Sequence, residues 1–559
     1  MSRREKREEK QGSKIFLKII IVAIFLASVV FSVKYAQNFL RDDLEGKTNL
    51  IINNNNVTAD LRKDVIVENG MVYISKEDIE NFFDPYIYYD ETYNRIITTS
   101  DNKVAYIVVG ENKMKNNGSN VNISGTVINR DGTYYIPFSE MQDIYEVEAK
   151  YISNKDCYVI ESLNRKKVVA DSNKDNSVKY KRTIFSKNVD KIKKGENVVV
   201  VNNSSKDGWV MVRTQSGKLG YVKEDTLTNN LTLRDNLVTS KKIDGNISLI
   251  WDYFSEYGEA PYREGSLKGV NVVSPTFFTL EKLGKGKVDE NVGTAGKQYI
   301  EWAHNQGYKV WPSISNNSYI DTTSEIMRDS KLREDLIERI VSYIVKYNLD
   351  GINIDFEYMY SEDKNLFSRF LIELKPRLNE IGAVLSVDFT APDGGENWSM
   401  CYDRHTIGKI ADYVVFMAYD QNTTVGTNAG YDWTEVSLKK LVGTQEEIES
   451  SKIILAIPFY TRVWYETSDG WDNEAIDMKS LNSIIPSSAT KTWDDSLKQY
   501  EVSYTKNGRN YKTWIEDEKS IEAKLSLIEQ YKLAGAGYWK KGSETESIWN
   551  LISEKLRIK

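Results

Sequence analysis

Asp350-Gly351-Ile352-Asn353-Ile354-Asp355-Phe356-Glu357 alternates small or polar residues with apolar ones. In an extended strand Gly351, Asn353, Asp355 and Glu357 then share one face, and Ile352, Ile354 and Phe356 share the other. An apolar face under helices and a polar face lining an interior suit a strand of a (β/α)8 barrel, which keeps its reactive groups at the C-terminal ends of its strands. Glu357 falls at that end.

Working outward, apolar β runs alternate with helical segments from Ile247 onward, the pattern of a parallel sheet with crossover helices. Eight runs are present: Ile247 to Trp251, Val270 to Ser274, Lys309 to Ser315, Gly351 to Glu357, Val384 to Thr390, Tyr413 to Tyr419, Lys452 to Tyr460 and Gly535 to Trp539. Amphipathic segments such as Lys331 to Tyr347 and Lys364 to Ile381 lie between them. The fold class expected is α/β, a TIM barrel over 243–559. The interval 467–512 is too long for a plain connection and predicts a small α+β insertion after strand seven.

The octapeptide resembles the D-x-x-D-x-D-x-E signature of glycoside hydrolase family 18. Asp350, Asp355 and Glu357 match it, whereas Asn353 is an amide where the family has a carboxylate, as in the spore and cell-wall branch. Val273-Ser274-Pro275-Thr276, Ser313-Ile314-Ser315-Asn316-Asn317, Met417-Ala418-Tyr419-Asp420, Ile457-Pro458-Phe459-Tyr460-Thr461-Arg462 and Gly537-Tyr538-Trp539 resemble other strand ends of that branch. The resemblance implies cleavage of β-1,4 bonds next to N-acetylglucosamine, in peptidoglycan, spore cortex or chitin.

Glycosidases ordinarily place two carboxyl groups on opposite sides of the scissile bond. Asp355 and Glu357 are two residues apart on one strand face, so they are neighbours and cannot easily flank a sugar. In the family the substrate's own 2-acetamido oxygen attacks instead, with retention of configuration. The implied roles are Glu357 as general acid/base, Asp355 as its electrostatic partner and orienter of the acetamide, and Tyr419 as a hydrogen-bond donor to the acetamide carbonyl. Trp539 would floor the sugar subsite, with Asn353, Met417, Asp420 and Tyr460 lining it. A non-catalytic glycan-binding protein using the same cleft is the alternative, kept open by Asn353.

The rest of the chain sets the context. Two histidines and two cysteines in 559 residues leave no histidine-rich metal site, and no metal or cofactor is expected. A net charge of -7 gives no reason to expect nucleic acid. A basic tail (1–14) precedes an apolar run (15–36), which reads as an uncleaved anchor with the tail cytoplasmic and the remainder wall-facing; a cleaved signal peptide is the rival reading. A polar, Asn-rich linker follows (37–56). Across 57–163 a pattern of strand, short helix and strand recurs after 62 residues, as Val72 to Ser75 and Tyr134 to Pro137, resembling the duplicated N-terminal domain of some copper amine oxidases. The region 178–227 resembles a bacterial SH3-like barrel, with strands expected at Arg182 to Phe185, Val198 to Val201, Trp209 to Arg213 and Gly220 to Val222. The chain is expected to act as a monomer on an N-acetylglucosamine-containing polysaccharide.

Overall fold

The structure, a computed structural model, describes residues 47–234, 243–254 and 264–558. The expected tail and anchor lie outside these residues; among the described ones no helix is long and apolar enough to cross a membrane. Two compact units emerge. One holds most of the N-terminal third, and the other holds Tyr88–Ile107, Met114–Val121 and Thr239–Lys559.

In the second unit eight parallel strands close on themselves: β1 (Ile247–Asp252), β2 (Val272–Pro275), β3 (Lys309–Val310, resuming at Ser313–Ser315), β4 (Gly351–Asp355), β5 (Val384–Phe389), β6 (Tyr413–Met417), β7 (Ile453–Pro458) and β8 (Gly535–Trp539). Closure is made by β8, which pairs with β7 and with β1, Ile247 lying opposite Gly535. The break in β3 falls at Trp311-Pro312, since proline has no N–H to give the ladder. The alternation of the sequence is obeyed. Ile352, Ile354 and Phe356 enter the outer core with Phe367 and Phe370 of the helix Lys364–Glu380. The barrel floor is filled by Leu249, Trp251, Val272, Trp311, Tyr413 and Val415. Gly351 is required there: a Cβ would stand 2.7 Å from the Val384 carbonyl and 2.9 Å from the Trp311 ring.

The insertion is larger than expected. It begins at Tyr460, directly after β7, and runs to Ile515 as a five-stranded antiparallel sheet with one short helix, Met478–Ile484. The seventh run is expected to end at Tyr460; from there Tyr460–Thr467 forms a strand of the insertion, paired with Gly470–Asp477 and Arg509–Ile515.

A second departure concerns residues 88–122, expected within a separate duplicated domain. They form a five-stranded sheet, of which Tyr88–Ile107 and Met114–Val121 belong to the barrel unit. Arg95, 5% exposed, donates to Asp90 (3.2 Å) and, on the helix Ser330–Tyr347, to Glu334 (2.8 Å) and Ser330 (2.7 Å). Beside it Arg333 bonds Tyr88 and Glu373. The partners are some 240 residues apart in sequence, so no local pattern announces them.

In the first unit residues 47–56, the described part of the expected linker, are built into the fold, while 37–46 lie outside the described residues. Asn49–Ile52 is a buried strand parallel to Cys157–Ser162, and Asn53 and Asn54 turn the chain back with φ of 48° and 69°, a conformation asparagine tolerates. The Asn run is a tight turn. Met71–Ser75 pairs antiparallel with Thr133–Pro137, Ile74 opposite Ile136. Next comes a seven-stranded sheet starting at Lys167 rather than 178. Arg182 to Phe185 is not a strand but the turn between Asn176–Lys179 and Asn188–Ile192, with Ile184 and Phe185 exposed; Lys179 pairs with Asn188 and closes the hairpin before Arg182 is reached.

Candidate active site

The C-terminal ends of β4, β5 and β6, with the start of the insertion, bring the polar residues together. Asn353 is fully buried and all its hydrogen-bonding groups are used. Its Oδ1 accepts from Trp251 Nε1 (3.0 Å), and its Nδ2 donates to Ser386 Oγ (2.9 Å) and Asp388 Oδ1 (2.6 Å). It is therefore a bracket inside the barrel rather than a surface of the cleft.

Asp355 ends β4, and Glu357 follows two residues later, each partly open to the cleft. Their carboxyl groups hydrogen-bond one another. Burial pushes Asp355 up to about 6, with the hydrogen bond from Glu357 opposing. Glu357 is raised well above the usual glutamate range by burial, then by the charges of Asp355 and Asp420. Burial and the charges of Asp355 and Asp420 favour the shared proton on Glu357.

The backbone at Glu357 is clamped. Asn316, at the end of β3 and 0% exposed, accepts from Glu357 N (2.9 Å) and donates to Glu357 O (2.8 Å), while Tyr402 Oη donates to the Phe356 carbonyl (2.8 Å). Tyr358, with φ 53°, then turns the chain away.

Tyr419 lies two residues past β6, with its hydroxyl held protonated by burial and by the neighbouring Tyr460 and Glu357. Its ring meets Tyr460 edge-on at 6.1 Å. Asp420 is committed elsewhere: its Oδ1 accepts from Tyr460 Oη (2.9 Å) and from Arg462 Nε (3.1 Å) and Nη2 (2.6 Å). Met417 is buried on β6. Trp539 ends β8 with its ring 6.0 Å from Trp251, partly open above the floor. Asp350 sits at the opposite, N-terminal end of β4, where it binds Lys309 (2.8 Å), Val310 N (3.0 Å) and His304 (3.0 Å); it ties the barrel bottom together.

Asn316 and Arg462 stand in strand-end motifs quoted above without a role of their own, and Asp388 is not singled out by the sequence reading. Asp388 is 1% exposed, and burial, with the nearby charges of Asp355 and Glu357, raises it well above its usual range against the Asn353 donor. Its signal was present in Val384–Phe389, where it alternates with Leu385, Val387 and Phe389 and so must point inward.

The family model for "Glycosyl hydrolases family 18" matches residues 249–544, the whole span of these strand ends. The chain belongs to glycosyl hydrolases family 18. Among curated relatives it is 30% identical over 297 residues to the "Uncharacterized glycosylase YvbX" of Bacillus subtilis (strain 168), covering 51% of this chain and 84% of that one. It is 24% identical over 316 residues to the "Cortical fragment-lytic enzyme" of Bacillus anthracis, covering 53% and 72%. Among solved structures the Bacillus cereus spore cortex-lytic enzyme SleL aligns with a TM-score of 0.49 at 21% identity, over 61% of this chain and 77% of that one. The barrel is thus a glycoside hydrolase domain of family 18 type, and both curated alignments are of barrel length.

Proposed function

We propose that this family 18 barrel hydrolyses β-1,4 bonds next to N-acetylglucosamine by a retaining, substrate-assisted route, and that its natural substrate is peptidoglycan or spore cortex. The observation that carries the reading is the hydrogen bond between Asp355 and Glu357. Two carboxyl groups in contact leave no room for a sugar or a water between them, whereas nucleophile and acid in ordinary retaining enzymes stand about 5–5.5 Å apart across the bond. Of the other acids near Glu357, Asp420 is held by Arg462 and Tyr460, and Asp388 is buried beneath against Asn353. The nucleophile is then the substrate's acetamide.

Glu357, kept protonated, gives its proton to the leaving oxygen and afterwards takes one from water. Asp355, becoming the charged member, accepts the acetamido N–H and balances the developing positive charge. The protonated Tyr419 hydroxyl donates to the acetamide carbonyl. Trp539 carries the sugar ring, with Met417, Tyr460 and Asp420 beside it and Asn353 fixing the floor beneath Asp355. The relatives named for cortical fragments favour wall glycan over chitin. A wall-facing protein held by the segment 15–36 fits that substrate, since a tether keeps the barrel beside an insoluble polymer.

Product mass and anomer analysis on purified peptidoglycan, cortex glycan and chitin oligomers tests this. Release of products with N-acetylglucosamine at the reducing end, β-anomer first, is expected from wall glycan. De-N-acetylated glycan should resist. Release of the α-anomer first, or equal cleavage of de-N-acetylated material, would overturn the mechanism; binding without release would make the chain a glycan-binding protein.

A further inference from the structure

The first unit contains a concavity of about 730 Å³ that no barrel chemistry uses. It lies along the seam between the strand Asn49–Ile52 with its partner Cys157–Ser162 and the seven-stranded sheet, all within that one unit. Its size is that of a ligand cleft rather than a packing defect.

The lining is chemically one-sided. Lys181, Arg182, Lys187 and Lys218 contribute four cations, and among the described lining residues none is acidic. The adjacent acid, Asp190, is turned aside, its Oδ2 accepting from Thr214 and Ser216. Two cations are pre-positioned on aromatic faces: Arg182 lies 5.1 Å from the Tyr221 ring centre and Lys181 5.9 Å from that of Tyr180, which is itself exposed. Asn49, Asn56 and Asn188 add amides to the wall. In a chain of net charge -7, four cations round one cleft make a local field of opposite sign to the molecule as a whole.

We infer that this cleft is a second binding site, for a polyanionic carbohydrate chain bearing carboxylate or phosphate groups. Cations meet the anionic substituents, amides meet hydroxyls, and the tyrosines offer ring faces to sugars. The anion site stands on its lining alone; the choice of a carbohydrate among polyanions rests on the proposed substrate of the barrel. Engaging the same wall through two sites on one chain raises the local concentration of the polymer at the barrel without any new contact there.

The test uses the full-length chain in mild detergent. Its affinity is measured for a poly(ribitol phosphate) bearing sugar substituents, for a muramic-acid glycan freed of peptides, for neutral chitin oligomers and for single-stranded DNA. Lys181→Glu/Arg182→Glu is the main variant, Lys218→Glu the second, and Lys174→Glu, exposed in the bend between two strands of the same sheet and outside the cleft, the control. Binding to at least one anionic glycan should weaken tenfold or more in both cleft variants and not in the control, and should weaken with added salt. The two anionic glycans show whether phosphate or carboxylate is read. Hydrolysis of neutral oligomers should change less than twofold, so a barrel without activity and a cleft without ligand give different results. Anionic glycan binding indifferent to the cleft variants, or DNA bound as tightly as either glycan, would overturn the inference.

Discussion

Asn353 and Asp388, on adjacent barrel strands, are joined by a 2.6 Å hydrogen bond from the amide Nδ2 to the carboxylate Oδ1. The amide that replaces the family's carboxylate on β4 is thus backed by a carboxyl group on β5. Because Asn353 spends its other groups on Trp251 and Ser386, it does not bond Asp355 directly, contrary to what its place in the octapeptide suggests.

Asp388 should cost stability at neutral pH. Its proton affinity in the folded protein is raised above the ordinary 3.8, so its contribution is fully present below that value and is lost as pH rises through the folded-state value. Asp388→Asn removes the ionisation and keeps an acceptor for Asn353. The variant should melt at a higher temperature than the parent at pH 7, with the difference vanishing near pH 4. An equal or lower melting point at pH 7 would contradict this.

Glu357→Gln should lower kcat by roughly 10²- to 10⁴-fold, the usual worth of a general acid/base, with oligosaccharide affinity within about threefold of the parent. Single-turnover rates and calorimetric binding on the same oligomer separate the two effects. Loss of binding with kcat unchanged would remove Glu357 from the chemistry.

The acid limb of kcat/KM should lie near pH 6, where Asp355 takes up a proton, because the active pair is ionised Asp355 with protonated Glu357. The alkaline limb should lie well above an ordinary glutamate, since burial and the charge of Asp355 both hold the proton on Glu357. Removing that charge in Asp355→Asn should move the residual alkaline limb downward. An alkaline limb unmoved by the substitution would mean that the two groups do not share a proton equilibrium.

Asn316 touches Glu357 only through the backbone, so Asn316→Ala should act by misplacing the acid. A fall in kcat of about 10- to 100-fold with KM nearly constant is expected, as for a displacement of about 1 Å. A KM effect alone would instead point to a subsite role.

Arg95 should be critical to the barrel although it lies some 240 residues before Glu334. Arg95→Ala leaves Asp90 with Ser330 and Glu334 with Lys115 as their remaining partners, at a cost below the about 3–5 kcal/mol of a buried charge left wholly unpaired. Urea unfolding should show this loss, and the segment 243–559 expressed alone should be markedly less stable than one that includes residues 88–122. An unchanged midpoint for both would show that the sheet rests on the barrel without supporting it.

Sequence by itself determined the barrel. The alternation in Gly351–Asp355 and Val384–Phe389, the eight apolar runs and the two long amphipathic helices are local periodicities, imposed by the pleat of a strand and the pitch of a helix. The placement of Asp355 and Glu357 side by side follows from the same two-residue repeat. Tertiary structure alone decided the rest. That Asn353 faces Trp251, Ser386 and Asp388, that Asn316 grips the Glu357 backbone, that Tyr460 opens the insertion, and that Arg95 anchors a sheet to the barrel are pairings between segments far apart in sequence. They depend on which strands become neighbours when the barrel closes and on which charges are then left without water, and no short-range pattern carries that information.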